Sequence, residues 1–283
     1  NLGSINLQEL TYLKIRGKET IEFVERTGEE DLGALSSKYV MTIPYKNRAP
    51  DSQKFDELLK QIPSSFMVSS FVDDNPKNLA QYGLAQPERE FIIKDKNAAV
   101  HILLGKTTES GEVYAKLSDK PEVFTLSSHD VDFLNVDSFS LIDKFILIVN
   151  IDTVDSFIIN ASGRTTRADI KREAPKEGEE KGKDHYFVDG VEVEEGAFKA
   201  FYQAAIGILA DSQNPAGISK GNPEVTIIFN MNKGKSPQLT ARFYPVDRMY
   251  YASQRDGSPS FLVGRYQIDK LLEAIETVKK SKL

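Results

Sequence analysis

Gly217-Ile218-Ser219-Lys220-Gly221 has the G-x-S-x-G spacing of a nucleophile elbow, in which a strained strand-to-helix turn exposes a serine beside a histidine base for acyl transfer. Its surroundings run in the reverse order. A helix and loop precede the motif and Pro223 with a strand from Val225 to Phe229 follows it, so a glycine-rich loop is expected. Gly105-Lys106-Thr107 has the ending of a phosphate-binding loop, but Val100 stands where that loop needs its first glycine, and no helix follows. A strand end turning into a Thr-Thr-Glu-Ser-Gly loop is the simpler reading. Ser127-Ser128-His129-Asp130 holds the three residue types of a hydrolytic triad, yet triads assemble across a fold and not along neighbours, and helix capping accounts for the serines and aspartate.

The three histidines, His101, His129 and His185, have no partner at helical i, i+4 spacing, so no zinc-ligand pattern arises. Asp73-Asp74, Asp152 with Asp155, and Glu194-Glu195 are acid pairs of the kind a glycosidase or calcium site uses, but no D-x-[DN]-x-[DN]-G loop occurs. Caps and solvated surface are expected for them. Tyr244, Tyr250 and Tyr251 sit at strand spacing, where core packing is a simpler role than lining a groove. No catalytic, cofactor-binding or metal-ligating residue is assigned on these grounds, and no cofactor is expected.

Periodicity predicts the elements that would position such residues. Leu10–Arg16 and Thr20–Glu25 alternate apolar residues around Gly17 as a hairpin, and Lys38–Tyr45 adds a strand. From Asp51 or Ser52 as N-cap, Phe55, Leu58, Leu59 and Ile62 recur at helical spacing until Pro63. Arg89–Lys94, Ala99–Leu104, Glu112–Leu117 and Glu122–Leu126 read as a meander, and a short helix capped by Ser127 or Ser128 carries Val131 and Leu134. After a connector at Phe139–Phe145, strands are expected at Val154–Ile159 and Arg164–Lys171. A mobile polar loop follows at Arg172–Asp184, then a helix through Phe198 to Leu209, strands within Glu224–Phe261 and a last helix from Ile268 to Val278.

Self-similarity accompanies this order. Asn75-Pro76 and Pro87 return as Asn214-Pro215 and Pro223, Tyr114-Ala115 as Tyr251-Ala252, and Asp119 with Phe124-Thr125-Leu126 as Asp256 with Phe261-Leu262-Val263. Tyr39–Thr42 corresponds loosely to Tyr186–Asp189. The reading is an α+β chain of two tandem repeats, 1–140 and 141–283, each a mainly antiparallel sheet with helices packed on one side.

Composition narrows the partners. The formal charge is −6 with acidic and basic residues interspersed, so no basic stripe is present for nucleic acid. There is no cysteine, which removes disulfides, thiolate nucleophiles and Cys-ligated metals. The longest apolar runs, Phe145–Ile151 and Phe198–Ala210, fall short of the roughly 20 apolar residues that span a bilayer.

Tyr82-Gly83-Leu84-Ala85-Gln86-Pro87, then Leu103-Leu104-Gly105, Glu112-Val113-Tyr114-Ala115 and Val123-Phe124-Thr125-Leu126, form an ordered series. It resembles the bacterial domain-of-unknown-function family 4340 in its Tyr-Gly-Leu-x-x-Pro turn, its strand end closed by glycine and its Tyr-Ala strand. Members often carry a tryptophan after the first hairpin; this chain has none, and Tyr39 is read in that place. The resemblance implies a single membrane segment ahead of the domain and, for some members, a likeness to auxiliary subunits of ABC-type transporters, with no catalytic residues to carry over. The expected function is an extracytoplasmic, membrane-tethered binding or scaffold module, with transporter subunits or other cell-envelope proteins as partners. Its anchor would lie before Asn1. The alternative is a hydrolase of cell-surface polymer with acidic residues gathered between the repeats.

Overall fold

Alternation at a period of two builds most of the chain into strands. In Thr20–Glu25, Ile21 and Phe23 turn inward while Thr20, Glu22 and Val24 face the other way. The computed structural model describes residues 3–28, 35–63, 65–255 and 260–283. It divides into two compact units, with the boundary between Asp143 and Lys144.

The first unit contains β1 (Tyr12–Arg16), β2 (Thr20–Glu25), β3 (Tyr39–Ile43), α1 (Ser52–Gln61), β4 (Ser70–Asp73), β5 (Arg89–Lys94), β6 (Ala99–Thr107), β7 (Val113–Leu117) and β8 (Val123–Leu126). Its sheet runs β3-β2-β1-β5-β6-β7-β8-β4, and every neighbouring pair is antiparallel. The second unit contains β9 (Val154–Ala161), β10 (Arg164–Arg172), β11 (Asp184–Val188), β12 (Val191–Glu192), α2 (Glu195–Ile206), β13 (Ser212–Gln213), β14 (Val225–Met231), β15 (Gln238–Pro245), β16 (Tyr250–Arg255), β17 (Phe261–Gly264) and α3 (Arg265–Lys280). Its sheet runs β12-β11-β10-β9-β14-β15-β16-β17-β13, again antiparallel throughout. Two mainly antiparallel sheets with helices make the class α+β.

Helix α1 starts where Asp51 accepts a hydrogen bond from the Lys54 amide at 3.0 Å, which satisfies a donor that the first turn leaves open. Its buried residues Phe55 and Leu58 face the sheet, with Phe55 4.6 Å from Phe23 and 5.2 Å from Tyr39 between ring centroids. In the second unit Phe157 of β9 meets Phe198, Phe201 and Tyr202 of α2 and Phe229 of β14. One sheet face in each unit is therefore the core, and the alternate residues are left for the other face.

Three details depart from the sequence expectation. The helix foreseen after Ser127 is a 3-10 segment, Ser128–Asn135, capped by Ser127 as expected. Strand β6 continues through Gly105 and Lys106 to Thr107. The short strands β4, β12 and β13 were not foreseen, because they carry no apolar alternation. Asp256, matched to Asp119 in the internal similarity, lies outside the described residues.

Candidate functional site

The residues that carry the family resemblance converge. Leu79–Tyr82 forms a 3-10 turn that Asn78 caps, and Gly83 leaves it in the left-handed region at φ 73°. This turn lies on β6 so closely that a Cβ on Gly105 would sit 2.1 Å from the Tyr82 carbonyl oxygen, and one on Gly83 would sit 2.9 Å from the Lys106 nitrogen. Each glycine thus makes room for the other's strand or turn. The Arg89 guanidinium donates to the Gly105 carbonyl at 2.9 Å, and Tyr82 packs against Tyr114 of β7 at 5.2 Å. The Tyr82 hydroxyl donates to the Asp73 carboxylate of β4 at 3.1 Å. Desolvation and that carboxylate raise the Tyr82 hydroxyl above the ordinary phenol range, so it stays protonated as the donor.

The motif therefore fixes β4, the last strand of its sheet. No strand lies on the far side of β4 among the described residues. Its Phe71 is 72% exposed and its Val72 40%, with Met67 just before it at 56%. A register shift between Phe71 and Asp73 accompanies this edge. Natural edge strands are usually shortened, charged or covered, and a bare apolar one is a template for another strand. The sheet of the second unit has Ser212–Gln213, two polar residues, as the edge strand beside β17. Apolar exposure at such an edge is thus not something the strand order requires. Sequence reading missed β4; the available signal was Phe66-Met67 and Phe71-Val72 flanking two serines.

On the face of the first sheet away from α1, Glu90 meets Arg16 at 3.2 Å, Lys14 at 3.7 Å and the His101 Nε2 at 3.1 Å. Burial acts to raise this carboxyl, but the His101 hydrogen bond and the two cations outweigh it and hold it below the usual carboxylate range. Beside His101 lies a depression of about 410 Å³ lined also by Ile92, Lys94, Leu117 and Lys120. The row ties β1, β5 and β6 together across the strands.

The other sequence-marked residues are dispersed. Ser219 is exposed in the loop ahead of β14, with a strand and not a helix after it, so no elbow is formed. His129 is exposed on the 3-10 segment after β8. Asp73 caps the Asn75 amide, Asp155 holds Arg172 at 3.1 Å and the Asn232 amide at 2.9 Å, Asp152 pairs with Lys181, and Glu195 pairs with Lys199 at 2.5 Å. Tyr251 is buried as expected, with its hydroxyl donating to Glu224 at 3.0 Å, whereas Tyr244 and Tyr250 are only half buried because they fall on the opposite phase of their strands. Among the described residues no group of three or more His, Asp or Glu could hold a metal ion, and no helix is long and apolar enough to cross a membrane.

His185 of β11 is gripped from both sides, by Glu192 at 2.6 Å on Nδ1 and Glu173 at 2.9 Å on Nε2. A neutral imidazole has one N–H and can satisfy one of them, so the arrangement calls for the doubly protonated ring. The hydrogen bonds from Glu192 and Glu173 raise its pKa above the ordinary histidine value. A raised folded pKa stabilises the fold fully below the unfolded value of about 6.5, and that contribution is lost as pH rises through the higher folded value. The His185 ring resonances should titrate with a midpoint above about 6.5, and Glu192→Gln should lower it. A midpoint at or below the ordinary value would show that the double grip does not form.

A search of curated proteins and a search of solved structures each found no match. A family profile matches residues 40–205, a span that runs from β3 into α2 and includes the Tyr82-Gly83, Gly105 and Tyr114 cluster. The chain belongs to the family described as Domain of unknown function (DUF4340).

Proposed function

We propose that this chain is a non-enzymatic docking module of the bacterial cell envelope, tethered to the membrane by a segment ahead of residue 1 and accessory to an ABC-type transporter. The observation that carries the docking part is the β4 edge, which has no outer strand among the described residues and exposes Phe71, Val72 and, just before it, Met67. An extended segment of a membrane-embedded transporter subunit adds to that edge: its main chain supplies the hydrogen bonds and its alternate apolar side chains meet Phe71 and Val72. The turn Leu79–Tyr82 holds β4 in place through Asp73. Tethering and the transporter role rest on the family resemblance.

We infer further that the two units are one plan repeated. With β12 set aside, both sheets follow the same order, one helix falls between the third strand and the far edge strand in each, and Asn75-Pro76 follows β4 as Asn214-Pro215 follows β13. The spacing drifts by strand. Phe124 and Phe261 are 137 residues apart, but their ladder partners Ala115 and Ser253 are 138 apart. Tyr114 therefore matches Ala252, not Tyr251, and the one-residue slip turns Tyr251 inward.

The test is a photo-crosslinking amino acid at position 71 of the full-length protein in its native membrane, with position 233 as control. The expected result is an adduct with an integral membrane subunit from position 71 only, and Phe71→Asp in a crosslinker placed at position 72 should abolish it. Full-length protein found in the cytosolic fraction, or equal adducts from both positions, would overturn the reading.

A further inference from the structure

In the second unit, α3 and the β9–β10 hairpin enclose a groove of about 300 Å³, at the small end of ligand-site volumes. Its floor is apolar: Ile159, Ala161 and Ile275 are all buried. The matching corner of the first unit is closed by direct contact. There a Cβ on Gly17, at the β1–β2 turn, would sit 2.3 Å from the Leu134 carbonyl oxygen, while a Cβ on Gly163, in the β9–β10 turn, would meet nothing within 4 Å. The hairpins differ in filling too, since Ile15 faces Ile21 across β1–β2 and Ile159 faces Thr166 across β9–β10. The space is thus particular to this unit.

Polar groups around it are mostly donors. Arg164 is exposed at the hairpin turn with no carboxylate partner among the described residues. Lys279 of α3 holds Asp189 at 3.0 Å and donates to the Thr166 hydroxyl at 3.2 Å. Thr166 is only 5% exposed, and its own proton remains for an acceptor in the groove. Asp189 is engaged by Lys279, which leaves Glu276, exposed on α3, as the acid among the lining residues. An apolar floor beneath an unpaired guanidinium and a half-satisfied hydroxyl fits an anionic head on a hydrocarbon body.

We propose that this groove binds a small carboxylate with an aliphatic body, its carboxylate on Arg164 and Thr166 and its chain over Ile159, Ala161 and Ile275. Octanoate is the probe, with octylammonium and octanol of the same length as comparators, followed by amide chemical shifts of the labelled protein. Octanoate should give saturable shifts at residues 161–166 and along 272–279. Arg164→Gln should weaken it about tenfold, the scale of one charge-assisted contact. Thr166→Ile, which places in this hairpin the residue that fills the other, should abolish the shifts. Octanoate without saturable shifts up to about 10 mM, equal binding of the comparators, or unchanged affinity in Arg164→Gln would each overturn the proposal. If Thr166→Ile fails to fold, the ligand series and Arg164→Gln decide it alone.

Discussion

Phe157→Ala is expected to destabilise the second unit by about 3–5 kcal/mol, the range for removing a buried aromatic ring from a core. Phe157 is fully buried, and its ring lies 5.0 Å from Phe201, 5.4 Å from Phe229, 5.5 Å from Tyr202 and 5.9 Å from Phe198. Four aromatic neighbours from a helix and the adjacent strand cannot all collapse into the space it leaves, so the cavity term persists alongside the lost transfer energy. Tyr202 is additionally fixed, since its buried hydroxyl donates to the Val149 carbonyl at 2.7 Å. Urea unfolding followed by far-UV circular dichroism should show the midpoint fall with little change in slope. A loss under about 1 kcal/mol would mean that α2 does not rest on β9 through this ring.

The second large effect is expected at Gly105. A methyl group there would lie 2.1 Å from the Tyr82 carbonyl oxygen and 3.1 Å from the Leu84 side chain, and the nearest atom is backbone, which cannot swing aside as a side-chain tip does. Gly105→Ala must lift the turn Leu79–Tyr82 from β6, at a cost of about 1–3 kcal/mol or more. Lifting the turn also withdraws the Tyr82 hydroxyl from Asp73, so β4 loses that tie and is held by its ladder with β8. Thermal unfolding should fall, and adducts from the crosslinker at position 71 should fall with it at temperatures where the variant is folded. Gly196→Ala is the matched control, because nothing lies within 4 Å of its Cβ in α2, and it should be neutral or stabilising by up to about 1 kcal/mol. A Gly105→Ala protein as stable as its parent would show that the turn does not press on β6.

Local order was legible in the residues. Thr20–Glu25 alternates and so buries Ile21 and Phe23, and Asp51 with Pro63 brackets α1, because the period and the caps act within a few residues of chain. The same holds for the antiparallel α+β class and for the Tyr82-Gly83-Leu84 and Gly105 series as a family mark. What that series does was settled by tertiary contact alone. Gly105 reads as the glycine that closes a strand, yet it lies within β6 and is glycine because Tyr82 passes over it. Ser70–Asp73 has no strand pattern of its own and becomes β4 because β8 offers a free edge for pairing. Glu173 and Glu192 meet at His185 through the hairpin registers of β10, β11 and β12, which no local spacing encodes. Periodicity specifies which face of a segment is buried; the identity of the neighbour across that face depends on ladder register, where a single-residue slip exchanges inside for outside.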